Sequence, residues 1–270
     1  MSLPVKLSSP ATREFWEIPT LFEDEHLLAL DKPAGVAVAP DPAAPERPTL
    51  MGLMHAAIAA GKPWAVERKM DYLAHTHGLD PEASGVILLA KNKSALVMLA
   101  NYFGADHPAL KCLALVYGTP RAAQFEVDAK LSPHPEIPGQ MRVDTKQGKK
   151  SRTRFSVVES FDGFALIHCE PITDRPQQIR LHLRHAGLRV VGDALHGGGP
   201  LYLSRLKHDY RLKPGREENP LLGEVSLHAE SITLPHPVTG TNLVITAPWP
   251  KHLNVAVKFL RQYAAGAPIT

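Results

Sequence analysis

Thr76-His77-Gly78-Leu79-Asp80-Pro81-Glu82-Ala83-Ser84-Gly85-Val86-Ile87-Leu88-Leu89-Ala90 passes from a polar loop with a proline turn directly into an unbroken apolar run. Val86 to Ala90 has the length and apolarity of a buried strand, and Ala95, Leu99, Tyr102 and Phe103 mark one face of a helix after it. Asp80 therefore lies just before a core strand. Upstream, Glu25 to Asp31 reads as a strand, Lys32-Pro33-Ala34-Gly35 as a turn and Val36 to Val38 as the returning strand. Thr49 can cap a helix whose apolar positions Leu50, Leu53, Met54, Ala57 and Ile58 follow helical spacing up to Gly61. Downstream, strands are predicted over Lys111 to Gly118, Arg152 to Glu159, Phe164 to Ile172, Glu230 to Leu234 and Leu243 to Thr246. Among them Gln177 to Ala186 reads as a helix with Ile179, Leu183 and Ala186 inward, Arg180 and Arg184 on another face, and Gly187 as its stop. Strands that follow one another with few helical crossovers predict an α+β fold on a mixed, largely antiparallel sheet with flanking helices.

Composition narrows the function classes. The chain has 270 residues, 44% of them hydrophobic, which is enough for a substantial core. Its longest apolar runs fall far short of the roughly 20 residues that cross a bilayer, and the N-terminal segment has no signal-like apolar stretch, so the expectation is a cytoplasmic protein without membrane contact. Cys112 and Cys169 sit in apolar, strand-like surroundings, which favours buried reduced thiols over a disulfide or a metal pair. Charge is uneven. Residues 1–110 carry 9 Lys+Arg against 13 Asp+Glu, residues 111–270 carry 21 against 14, and the segment Arg142 to Arg189 holds 10 basic and 5 acidic side chains. Such clustering suits a face that touches a polyanion, although a solvated basic surface has the same composition.

Isolated motifs are less decisive. Asp80 on its own is compatible with a plain Leu-Asp-Pro turn. His75, His77, His182 and His185 invite a metal site, but no further ligand stands at a recognisable spacing, and neither metal nor cofactor is expected. Ser84-Gly85 lacks the Gly-x-Ser-x-Gly frame of a nucleophile elbow, and Lys32-Pro33-Ala34-Gly35 lacks the glycines of a phosphate loop.

Order adds what single motifs lack. The stretch Leu21 to Gly35, the loop 77–91, Lys111 to Gly118, Arg175-Pro176-Gln177-Gln178-Ile179-Arg180, Gly187 through Asp193, Leu227-His228-Ala229 and Pro235-His236-Pro237 follow one another as in the RluA-type RNA pseudouridine synthases, which the chain resembles over roughly residues 20–250. That resemblance implies an isomerase, an intramolecular transferase that turns uridine of rRNA or tRNA into pseudouridine, with Asp80 as the catalytic carboxylate and Arg180 as its cation. It implies an RNA cleft in which a nucleotide is swung out of its stack. His77, Leu79, Leu113, Arg175 and Gln178 are expected substrate contacts, and Lys146, Lys149, Lys150, Arg152 and Arg154 the expected phosphate contacts. Four positions depart from the family pattern: Gly78 for its arginine, Leu113 for its base-packing tyrosine, Asp174 for glycine and Gln177 for histidine. They mark a divergent branch and keep a non-catalytic RNA-binding or RNA-chaperone descendant open; hydrolysis of an N-glycosidic bond would need a second carboxylate, for which Glu82 and Asp71 are poorly placed candidates. The expected organisation is an N-terminal extension (1–19), a catalytic domain (20–262) without the family's S4 domain, and a short tail (263–270), acting as a monomer. Ser132 to Lys150 and Gly197 to Pro220 are expected to be irregular, mobile loops that order on RNA.

Overall fold

The computed structural model describes residues 3–40, 44–103, 109–213 and 215–266. It opens with a hairpin, β1 (Val5–Ser9) and β2 (Glu14–Ile18), then β3 (Thr20–Glu23) and β4 (Leu27–Lys32). Helices α1 (Leu50–Ala59) and α2 (Pro63–Glu67) precede β5 (Ala74–His75), β6 (Ser84–Ala90) and α3 (Lys93–Phe103). There follow β7 (Leu110–Tyr117), β8 (Gln124–Asp128), a small hairpin of β9 (Leu131–Pro133) and β10 (Met141–Val143), then β11 (Arg152–Phe161) and β12 (Phe164–Pro171). The last elements are α4 (Gln178–His185), β13 (Arg189–Val190), a 3-10 turn (Ala194–His196), α5 (Leu203–Leu206), β14 (Leu227–Pro235), β15 (Asn242–Thr246) and α6 (Lys251–Tyr263).

One sheet runs β3-β4-β6-β14-β7-β12-β11-β8, with β5, β13 and β15 joined to β6, β7 and β14. Its described pairings are antiparallel except β6 with β14, which run parallel with Ser84 beside His228 and Gly85 beside Ala229. This is the mixed, largely antiparallel α+β arrangement predicted from the strand order. Glycine is obligatory at the parallel seam, because Gly85 has φ +106° and a β-carbon there would lie 2.2 Å from the Ala229 carbonyl oxygen.

Alternation along β7 divides the core into two layers. Cys112, Ala114 and Val116 pack with Ala165, Ile167, Cys169 and Phe155 beneath Ile179 and Leu183 of α4. Leu113, Leu115 and Tyr117 point the other way, onto Leu253, Ala256, Val257 and Leu260 of α6. In the other half of the sheet Leu28, Leu30, Ile87 and Leu89 face α1 and the first hairpin, while Leu27, Ala29, Val86 and Leu88 face α3. Thr49 caps α1 as its sequence predicts, its side chain accepting from Gly52 N. Among the described residues no helix is long and apolar enough to cross a membrane.

Several local expectations need correction. Val36 to Val38 does not return as a strand; a single bridge joins Ala37 to Thr49, because the turn carries the chain to the start of α1 instead of back along β4. Residues 132–150 are irregular over most of their length, as expected, but include the end of β9 and the whole of β10, paired in register, followed by a tight turn at Asp144. Residues 197–220 contain only α5 as regular structure, and position 214 lies outside the described residues. Ala186 is exposed, and Arg180 does not share a solvated face with Arg184: six of the eight residues of α4 are buried, Arg180 among them. A helix wedged between a sheet and two loops has no single wet face to read from periodicity. Residues 5–18 of the presumed extension put Val5, Leu7 and Ile18 into the core against α1, and Ala265 of the presumed tail bridges to Phe161. Residues 1–2 and 267–270 of those two segments lie outside the described residues.

Candidate active site

The loop 76–83 is fixed from below by groups that the fold buries. Leu88 N donates to His77 Nε2 at 3.1 Å, so the ring carries its proton on Nδ1, which donates to Gly78 O at 3.1 Å. Burial pushes the His77 pKa down, consistent with that neutral tautomer. Lys32 is wholly buried, and its ammonium donates to the carbonyl oxygens of Pro33 (2.9 Å), Val36 (2.8 Å) and Pro81 (3.2 Å). Gly35 N also donates to Pro81 O at 2.8 Å, so the Lys-Pro-x-Gly turn clasps the peptide that follows Asp80. Burial lowers the Lys32 pKa to about 7 against the opposing pull of Asp80 and Glu82.

Asp80 meets the start of α4. Gln177 N donates to Asp80 Oδ1 at 3.0 Å, and Arg180 Nη1 lies 3.5 Å from Oδ2. The positive end of the helix and the guanidinium favour the ionised carboxylate. Burial acts in the opposite direction and prevails, holding the Asp80 pKa above the ordinary carboxylate value, with the like charge of Glu82 adding to it. Arg180 is anchored elsewhere: its Nε and Nη2 form a fork onto Asp193 at 2.8 and 2.6 Å, and Nη1 donates to Glu82 at 2.9 Å. Burial disfavours its charge, but Asp193, Asp80 and Glu82 more than reverse this and keep it cationic. The exposures separate the three acids. The Asp193 side chain is 1% exposed and Glu82 is 42% exposed, while Asp80 at 15% is both held and reachable.

Asp80 opens into a cavity of about 540 Å³ whose wall includes Leu79, Cys112, Asp174, Arg175, Leu227 and, from the small hairpin, Met141. This is the size of a ligand cleft. Apolar side chains and several polar groups share its wall, among them Gln177 and Gln178. Cys112 stands directly across from Cys169 on β12; both thiols are buried and free, and burial raises both pKa values.

The sequence-predicted contacts divide accordingly. Leu79 and Arg175 line the cavity; Arg175 Nη1 donates to Asp174 O at 2.8 Å, and its Nε is buried without an acceptor. Leu113 does not reach it. With a strand period of two, the inward neighbour Cys112 takes the cavity position and Leu113 packs under α6. His77 has both ring nitrogens occupied by the backbone. Gln178 borders the cavity, but its amide is satisfied by Thr173, the Arg152 carbonyl and Thr153, so it ties α4 to β11. Arg152 and Arg154 alternate with Thr153 and Phe155 and so point to the far face, where both pair with Glu126. Lys146, Lys149 and Lys150 are exposed at the foot of the small hairpin, outside the cavity wall. Sequence reasoning missed Asp193 as the partner of Arg180, the buried role of Lys32, and Gln177. Lys32 carried a signal, a lysine at the end of an apolar strand, and so did Gln177, which stands where the family pattern has histidine.

Two of the family departures turn out to be one feature. Gly78 N donates to Asp174 Oδ2 at 3.1 Å, and a β-carbon at Gly78 would stand 3.4 Å from that oxygen. Asp174 thus occupies the space beside a residue without a side chain. The profile of RNA pseudouridylate synthases matches residues 26–185. The chain belongs to the RNA pseudouridylate synthase family. This synthase is an isomerase that converts uridine to pseudouridine in RNA. It is 33% identical over 241 residues to ribosomal large subunit pseudouridine synthase C of Vibrio vulnificus (strain CMCP6), covering 89% of this chain and 69% of that one. The enzyme of the same name from Escherichia coli (strain K12) is 32% identical over 242 residues, again covering 89% and 69%. The synthase shares its fold with human RNA pseudouridylate synthase domain containing 4, at a TM-score of 0.63 and 21% identity, over 90% of this chain and 92% of that one. Human RNA pseudouridylate synthase domain containing 1 superposes with a TM-score of 0.58 at 18% identity, over 94% and 97%.

Proposed function

We propose that the synthase modifies uridine of large-subunit ribosomal RNA, acting in the cytoplasm as a monomer, with Asp80 as its catalytic carboxylate and Arg180 as the cation behind it. The observation that carries the chemistry is Asp80 itself: a carboxylate held by a helix N-terminus and a buried guanidinium, yet open to a cavity. In the isomerisation the C1′–N1 bond breaks, the base turns, C5 bonds to C1′, the C5 proton leaves and N1 takes one up, so no oxidant or water is consumed. Asp80 presents negative charge to the ribose or base as the bond breaks, and Arg180, fixed by Asp193, restrains its rotation. Leu79, Cys112 and Leu227 supply apolar contact for the base, and Arg175 its phosphate or ribose contact. Catalysis is assigned to residues 20–262, with the first hairpin packed against them. The relatives' names and the +7 balance of residues 111–270 support ribosomal RNA as substrate.

Pseudouridine-specific mapping of RNA from wild-type and gene-deleted cells tests the address. One site should vanish from large-subunit rRNA, return with the wild-type gene and stay absent with Asp80→Asn. A full complement of sites in the deleted strain, or restoration by Asp80→Asn, would remove this assignment.

A further inference from the structure

We propose that Gln177 is a positioning residue that ties the small hairpin β9–β10 to the aim of Asp80. The inference deepens the reading of Asp80 given above and rests on it. Gln177 is one of three described non-glycine residues with positive φ, at φ 57° and ψ 15°, a left-handed conformation that disfavours any side chain with a β-carbon. It stands at the N-terminal cap of α4, yet its side chain does not cap the helix. The side chain reaches the small hairpin instead. Gln177 Nε2 donates to Gly139 O at 2.7 Å, and Met141 N donates to Gln177 Oε1 at 3.0 Å, so both halves of the amide grip the backbone of the hairpin tip. The backbone N–H of the same residue donates to Asp80 Oδ1.

One residue therefore has three contacts and one strained torsion. The two bonds to the hairpin hold Gln177 in a conformation it would otherwise leave, and that conformation points its N–H at Asp80. Gly139, Gln140 and Met141 form part of the cavity wall, so an RNA seated in the cavity meets the hairpin that fixes the carboxylate. When the hairpin is in place Asp80 is aimed. When it lifts, Gln177 relaxes toward negative φ and the N–H turns away.

Gln177→Ala and Gln177→Gly distinguish this from simple bracing of the hairpin. Both remove the two amide bonds, but only glycine keeps the left-handed backbone without strain. With an unmodified, C5-tritiated large-subunit rRNA transcript at saturation, alanine should lower kcat roughly tenfold and glycine only about twofold, a gap of the order expected for a strained left-handed residue. In the free proteins the Met141 amide should exchange faster with solvent in both variants than in wild type. Equal kcat for alanine and glycine, or a Met141 amide that stays as protected in Gln177→Ala as in wild type, overturns the proposal. Should the wild type release no tritium from this transcript, the substrate reading fails, and Met141 exchange still decides the latch.

Discussion

Arg180→Met isolates the centre of the site. In the wild type the guanidinium is 2% exposed and fills its fork with Asp193, itself 1% exposed. Methionine of similar length removes both donors, leaving the Asp193 carboxylate with the His196 backbone N–H at 3.3 Å as its remaining donor. Stranding one member of a buried pair costs about 3–5 kcal/mol. For a chain of this size that corresponds to a fall in Tm of roughly 6–20 °C by calorimetry. Glu82 adds little to this cost, because it is 42% exposed and water can replace its lost donor. Removing the stranded charge as well, in Arg180→Met/Asp193→Leu, should restore about 2 kcal/mol or more, since an apolar pair of similar volume is close to neutral. Proton release should stay abolished in both, because Asp80 has lost its cation and burial alone pushes its carboxyl further up. A single variant within ~0.5 kcal/mol of wild type, the range of ordinary surface substitutions, would refute the reasoning. A double variant no more stable than the single one would refute it equally.

The Asp80 pKa is raised by burial and by Glu82, so activity should fall on acidification at a pH above the ordinary carboxylate range, as Asp80 takes up a proton. Glu82→Gln removes the like charge, and the acid limb of the kcat profile should move to lower pH; movement to higher pH would contradict the assignment. Leu113→Ala should cost about 2–5 kcal/mol in denaturant unfolding while leaving KM for RNA unchanged, because its side chain lies under α6. Cys112→Phe, by contrast, should raise KM by obstructing the cavity. Gly85→Ala should fail to yield folded protein, eluting as aggregate in gel filtration, because the seam cannot admit a β-carbon at 2.2 Å from Ala229 O; a soluble variant of wild-type Tm would show that β14 can move.

How far the sequence could be read depended on the range of the interaction. Val86 to Ala90, the Thr49 cap and the major strands were legible because apolar runs and caps are local properties. The position of Asp80 before a core strand was legible for the same reason. Leu113 was misassigned by a single residue, which in a strand exchanges the faces. Arg152 and Arg154 looked like part of a basic phosphate-binding patch, but alternation sends them to the far side of the sheet. The small hairpin was invisible because strands of three residues are too short to display a period. Pairings such as Arg180 with Asp193 and Gly78 with Asp174 arise from tertiary placement, and no spacing in the chain announces them.

The parallel contact of β6 with β14 dictates when the enzyme can come into being. Asp80 leaves the ribosome early, but the strand beside its loop begins at Leu227, 147 residues later in synthesis. Until then Ser84 and Gly85 of β6 lack this neighbour, although Leu89 and Ala90 already pair with β5, so a short edge stays open to strand addition by other chains. Closure across so long a separation is slow. A nascent chain stopped before β14 would present Asp80 on an unfinished sheet, and it should leave RNA unmodified until translation is nearly complete.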